Sequence, residues 1–394
     1  MQSKNYVLFF YSYLVIQYIF IFVHVYLPIL FFTVLNVDRI ALAIIQIFSY
    51  LGYAAKPIVS YYFDKTEENV PTYPLFIVST ILLCISFLLF TISIPLLVLF
   101  GLFLAINFSV ASIIDALIDK YIVANSPTDK IKTRNALCIQ SGSLFGAIIA
   151  NLCAQIFLTD IYVRANWNLL YLTGIILILP LVVLTVFLRS EIGETKGFIY
   201  LEKESSEDES SKLLLRKEIF LAGLFVFLIY SDNLYEYPFE PWFLVRYAQG
   251  DITFLATYFM LMTLVNALGV ILAGLISHKI DREKVLKISL LAYGGLTIII
   301  PFTDLFFFTI FVILLQILAG FLLINMVSLL IEIAEGKGTS YQVIALMAVI
   351  AQAVFTALGT YLSAFLSTEL IIIISGFLML GAIIPLSLIT FQEN

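Results

Sequence analysis

Long apolar runs separated by short polar breaks dominate the chain. Stretches such as Leu169–Leu188 and Leu370–Leu386 contain no charge at all. A spanning helix needs roughly 20 apolar residues to cross about 30 Å of hydrocarbon. A transmembrane β-barrel would instead show short alternating segments, and open sheets fail in lipid because their edge groups go unpaired. Twelve segments meet the helical pattern: 6–34, 40–62, 75–93, 95–119, 135–158, 168–188, 219–247, 252–276, 285–303, 305–331, 340–366 and 369–390. The breaks carry turn chemistry, as in Asn36-Val-Asp38, Pro71-Thr-Tyr-Pro74, Pro95 and Asn125-Ser-Pro127. The pattern predicts an all-α membrane protein of about twelve transmembrane helices.

Composition agrees. Apolar residues make up 62% of the chain and charged residues 12%, and the mean hydropathy is +1.05. Soluble domains carry about 25% charge to face water, so the solvent around most of this chain is lipid. Lys4 precedes the first apolar stretch, but no small-residue cleavage site follows, and that stretch reads as a retained helix. Cys84, Cys138 and Cys153 all fall inside apolar runs and read as small buried hydrophobes. A net charge of −6 without a basic patch argues against a nucleic-acid partner. The expected partners are the lipid bilayer and a small-molecule substrate, with the protein working as a monomer.

Charge also orients the chain. With a cytoplasmic N-terminus, eighteen Lys and Arg residues fall on the inner side, and only Arg39, Arg164 and Arg246 fall outside. That asymmetry predicts a multi-pass protein of the cell membrane with both termini cytoplasmic. The long polar stretch Arg189–Lys217 contains the acidic run Glu202–Ser211, which cannot bury a core and reads as a solvated tether. It divides the chain into an N-terminal six-helix bundle, 1–189, an acidic cytoplasmic linker, 190–217, and a C-terminal six-helix bundle, 218–394. Two near-equal halves suggest a transporter built from repeats, with substrate bound between them near mid-membrane.

Two loops carry a motif. After helix 2 the chain reads Ser60-Tyr-Tyr-Phe-Asp64-Lys65. At the corresponding place after helix 8 it reads Gly274-Leu-Ile-Ser-His278-Lys279-Ile-Asp281-Arg282-Glu-Lys284. Both resemble the loop motif of the major facilitator superfamily, a Gly, three residues, an Asp, a basic residue, then Gly and two more basic residues. The first copy matches at Asp64 and Lys65, with Ser60 and Glu67 at the Gly positions. The second matches at Gly274, Lys279, Arg282 and, one position late, Lys284, with His278 for Asp and Asp281 for the second Gly. The resemblance implies two six-helix bundles, secondary transport by alternating access, and a gating role for Asp64, Lys65, Lys279 and Arg282. The plainer alternative is that the basic residues only fix topology. The resemblance does not reach the drug–proton antiporters: helix 5 has Gly142-Ser-Leu-Phe-Gly146 without a Gly-Pro pair, and Leu102–Ser112 of helix 4 lacks an Arg. Gly142 and Gly146 form a small-xxx-small pair suited to close helix packing.

Polar residues inside spans are the remaining site candidates, because burying them in lipid is expensive. Gln17, Asn107, Gln140, Gln316 and Gln352 are candidate substrate contacts, with interhelical hydrogen bonding as the plainer role; the same holds for Asn151, Asn266 and Asn325. His24 reads as a hydrogen-bonded structural residue. Lys56 and Asp115 lie at similar depths in the inner leaflet, which predicts an intramembrane ion pair; the alternative is that Lys56 snorkels alone. No Cys/His cluster has metal-ligand spacing, and no Walker-type motif points to ATP.

Helix 7 is the most polar span: Tyr230-Ser-Asp232-Asn-Leu-Tyr235-Glu236-Tyr237-Pro238-Phe239-Glu240-Pro241-Trp242. Asp232 lies about 20 Å into the span, with Glu236 and Glu240 one and two turns on. Close carboxylates resist joint ionisation, which suits a proton carrier, and Tyr235 and Phe239 can engage a cation. Asp232 and Glu236 are therefore the predicted substrate- or proton-binding centre, with Pro238 and Pro241 freeing backbone carbonyls as further ligands. In the plainer reading the helix ends near Tyr235, leaving Glu236 and Glu240 in water near Arg246. The whole predicts a secondary active transporter of a small solute without a cofactor, with the proton the favoured coupling ion. The alternatives are an exporter of lipophilic or drug-like compounds and a non-transporting receptor or scaffold. A membrane enzyme is disfavoured, since the outer loops are too short for a catalytic platform.

Overall fold

A computed structural model describes residues 2–54, 56, 58, 72–124, 129–188, 217–276, 280–333 and 338–389. The described residues form helices and connections, with no strand among them. Twelve helices follow in order. They are α1 (2–34), α2 (Arg39–Tyr50), α3 (Thr72–Ser93), α4 (Leu97–Ala124), α5 (Asp129–Phe157), α6 (Arg164–Phe187), α7 (Lys217–Arg246), α8 (Ile252–Ile276), α9 (Arg282–Ile299), α10 (Leu305–Ile333), α11 (Gly338–Leu362) and α12 (Thr368–Leu388). Among the described residues nine helices are long and apolar enough to cross a membrane, and shorter apolar stretches lie within α5 and α11. The chain is a multi-pass membrane protein.

By internal contacts it divides into two compact units, one built chiefly from α1–α6 and the other chiefly from α7–α12. In lipid, helices gain nothing by hiding apolar surface from one another, so close packing and small residues decide where they cross. In the first unit, a Cβ on Gly142 would lie 2.2 Å from the Phe10 carbonyl oxygen, and one on Gly146 would lie 2.3 Å from that of Leu14. Only glycine lets α5 approach α1 so closely. In the second unit Gly269 of α8 and Gly320 of α10 meet backbone to backbone in the same way. Leucine, isoleucine and phenylalanine side chains such as Ile92, Phe187 and Phe302 point outward, as lipid-facing positions should.

Three helices of the first unit depart from expectation. Helix α1 contains two π-helical segments, Phe22–Tyr26 and Leu30–Val34, flanking Leu27–Ile29. Pro28 sits between them; its ring clashes with the preceding turn and it has no N–H to give, which accounts for the widened ladder before it. Helices α4 and α5 run to Ala124 and from Asp129, beyond the expected 119 and 135. The polar residues Asp129–Arg134 continue α5 outside its apolar stretch.

The expected linker lies outside the described residues except for Lys217, which opens α7. Asp64, Lys65, His278 and Lys279 also lie outside them. Arg282 is the first residue of α9. The preceding Asp281 caps that helix, accepting hydrogen bonds from the Glu283 and Lys284 amides. Its Lys284 hydrogen bond holds the exposed Asp281 carboxyl below the ordinary carboxylate range.

Candidate functional site

The second unit's α7 continues to Arg246, so the reading that ends it near Tyr235 is wrong. Its irregularity comes earlier, as a 3-10 turn at Tyr230–Asp232. Two features hold that turn. Ser231 Oγ donates to the Ser375 carbonyl at 3.3 Å, and Ser375 Oγ donates back to the Ser231 carbonyl at 2.8 Å, lashing α7 to α12. Asn233 Nδ2 donates to the Tyr230 carbonyl at 2.9 Å. Both prolines follow within the helix. Pro238 offers no N–H to Leu234, yet the freed Leu234 carbonyl is not a ligand. It faces Gly359 of α11, where a Cβ would lie 1.6 Å from it.

These constraints aim one face of α7 into a cavity of about 240 Å³ lined by the second unit's own helices. Asp232, Glu236 and Glu240 line it together, at the i, i+4 and i+8 positions that share a helix face. Helix α8 adds Tyr258, Phe259 and Met262, α9 adds Tyr293 and Thr297, and α10 adds Val312, Leu315 and Gln316. Each carboxylate has a different surrounding. Asp232 Oδ1 accepts from Asn233 Nδ2 at 3.0 Å. Glu236 Oε2 accepts from Thr356 Oγ1 of α11 at 3.1 Å. Glu240 is 5% exposed, and its Oε2 is buried without a hydrogen-bond partner. Among the described residues no salt bridge includes Asp232 or Glu240. Arg246, expected beside Glu236 and Glu240, pairs instead with Glu369 at 3.3 Å. It also lies 5.2 Å from the Trp242 ring centroid, while Trp242 Nε1 donates to the same Glu369 carboxylate at 2.7 Å.

The other candidates are dispersed. Gln316 lines the cavity, and its carbonyl accepts from Asn266 Nδ2 at 3.2 Å, joining α8 to α10. Gln352 is half-buried on α11 and Gln17 half-buried on α1. Gln140 belongs to α5, its side chain outside the described ones. Asn107 is fully buried and donates to Ser86 Oγ at 3.0 Å, joining α4 to α3. Asn151 accepts from the Tyr26 hydroxyl at 2.6 Å. His24 is buried in the first π segment, with Tyr50 Oη 3.2 Å from its Nδ1 and Phe20 stacked at 3.9 Å. Lys56 and Asp115 are brought together at 2.7 Å, and the Tyr13 hydroxyl donates to the other Asp115 oxygen.

Glu240 has one signal in the sequence, its spacing after Glu236; the two prolines and Arg246 nearby point the other way, to a helix already in water. The aromatic contributions of α8 and α9 had no signal, since Tyr258 and Tyr293 sit in ordinary apolar runs.

No family model and no curated relative matches this chain. Solved structures do. The nucleoside transporter NupG is 12% identical, with 99% of each chain covered and a TM-score of 0.70. A D-xylose–proton symporter is 11% identical, covering 98% of this chain and 97% of its own, at 0.74. A POT family transporter solved with 5-aminolevulinic acid is 14% identical, covering 98% and 95%, at 0.71. Such identities speak for architecture alone: the chain shares the fold of these solved transporters.

Proposed function

We propose that the protein is a secondary active transporter that moves a small solute across the cell membrane by alternating access, coupled to protons. The observation that carries this reading is the carboxylate-lined cavity at the middle of α7 in a chain with the major facilitator fold. Charged groups at that depth are expensive to keep in a membrane protein and are retained where a solute or ion must be met. The structural neighbours are named for nucleosides and for D-xylose with protons, which supports a small solute and a gradient as the energy source. Asp232 and Glu236 form the binding centre, joined by Glu240, with Gln316 in the same lining. The surplus of Lys and Arg on one side of the spans supports cytoplasmic termini. The division into two compact units supports two bundles, 1–189 and 218–394, joined by the acidic linker 190–217. The loops after α2 and α8, with Asp64, Lys65, Lys279 and Arg282, serve as gates.

Counterflow in vesicles reconstituted with the purified protein tests this. Vesicles loaded with mixed small metabolites should accumulate the matching labelled solute only when they contain the protein, and a pH step should change the rate. Binding of a solute without any protein-dependent flux would favour a receptor instead.

A further inference from the structure

We infer that the α7 cavity takes a protonated primary or secondary amine on a compact apolar body, whose N–H donates to Glu240 Oε2. This rests on the transport reading for its consequence, but the binding site stands on its own geometry. Glu240 is 5% exposed and lines the cavity, and its Oε2 has no hydrogen-bond partner. An unmet buried acceptor costs the full desolvation of that group, more when it is charged. Asp232 and Glu236 each already accept from Asn233 or Thr356. For the ionised carboxylate the group that meets Oε2 must be a donor, and the side of Glu240 that lines the cavity is where a ligand can bring one.

Charge narrows the class. The described lining has three carboxylates and no Lys, Arg or His. An anion entering it meets like charge at close range in a weakly screening interior, whereas a cation meets opposite charge. The walls describe the rest of the molecule. Tyr235 and Phe239 lie with ring centroids 5.6 Å apart, and Phe259 stands edge-on to Phe239 at 6.4 Å. Such faces attract an ammonium and pack an apolar body. Cavity size limits that body to something compact. A quaternary ammonium satisfies the charge but has no N–H, so it leaves Oε2 unmet; the hydrogen bond separates the two kinds of cation.

The test measures binding to the purified full chain with three probes of one skeleton: phenethylammonium, its N,N,N-trimethyl analogue and 3-phenylpropionate. Phenethylammonium should bind at least about tenfold more tightly than the trimethyl analogue, the worth of one charge-assisted hydrogen bond, and 3-phenylpropionate should not bind. Glu240→Gln removes one of the three charges and should weaken both cations, phenethylammonium the more, so that the preference between them falls to within about threefold. If the glutamine variant fails to fold, Glu240→Asp keeps the charge, shortens the reach and should reduce the same preference. Equal binding of both cations, binding of the carboxylate, an unchanged preference in the variant, or no binding by any probe overturns the inference. Protein-dependent flux of a neutral or anionic solute that phenethylammonium does not inhibit would also overturn it and leave the transport reading standing.

Discussion

Gly359 of α11 sits against the Leu234 carbonyl of α7 so closely that a Cβ would lie 1.6 Å from its oxygen. Pro238 explains why that carbonyl is available, since a proline leaves the oxygen four residues earlier without its helical partner. Glycine then allows α11 to occupy the space beside it. The contact fixes the height and rotation of the helix that carries Asp232 and Glu236. Gly359→Ala should therefore force the two helices apart and lower stability by about 1–3 kcal/mol. Gly274→Ala, where nothing lies within 4 Å of the added carbon, should leave it unchanged or slightly raised. Thermal unfolding in detergent compares them, and equal melting would contradict the contact.

Lys56 and Asp115 lie 2.7 Å apart, with roughly a quarter of each side chain exposed. Removing either partner leaves the other charge in a poorly solvating place. Lys56→Met and Asp115→Asn should each destabilise the first unit. The double variant should recover much of the loss, with a coupling on the order of 0.5–3 kcal/mol. Strictly additive losses would mean the pair contributes nothing beyond its separate contacts. The Tyr13 hydroxyl also donates to Asp115, so recovery should fall short of complete.

Asp281 caps α9 with its carboxyl held below the ordinary value of 3.8, chiefly by its Lys284 hydrogen bond. A depressed carboxyl contributes stability that is present above the unfolded value and lost as pH falls through the folded one. At neutral pH, Asp281→Ala should speed hydrogen exchange at the Glu283 and Lys284 amides. The difference from the unchanged protein should shrink below pH 3.8. A difference that persists undiminished in acid would rule out the ionised carboxylate as the cap.

The span pattern is legible because each helix must carry its own apolar length. Eleven of the twelve segments match their helices within several residues, while the second, expected to 62, is α-helical to Tyr50 with a 3-10 turn to Ala54, and most of the rest lies outside the described residues. Depth alone brought Lys56 and Asp115 into one argument, since two charges in one leaflet need each other. Gly142 and Gly146 announced a close crossing by spacing, but not that α1 was the partner. What the sequence hid came from elsewhere in the chain. The 3-10 turn at Tyr230–Asp232 depends on Ser375, and no local pattern at Ser231 names a residue on α12. Glu240 looked like a surface residue because prolines usually end helices; here the helix runs through both, and the carboxylate is carried inward. Asp281 followed by Glu283 is itself a helix-start signal, set among the basic residues of the loop motif.

Flux against pH in reconstituted vesicles, for the unchanged protein beside Asp232→Asn and Glu236→Gln, tests the central claim most directly. Both variants keep the size of the side chain and remove only its capacity for charge. The account predicts that each lowers the rate at least about tenfold and that the surviving flux has a pH profile displaced from that of the unchanged protein. Wild-type flux with an unchanged profile in both variants would contradict it, and neither Asp232 nor Glu236 would then be functional.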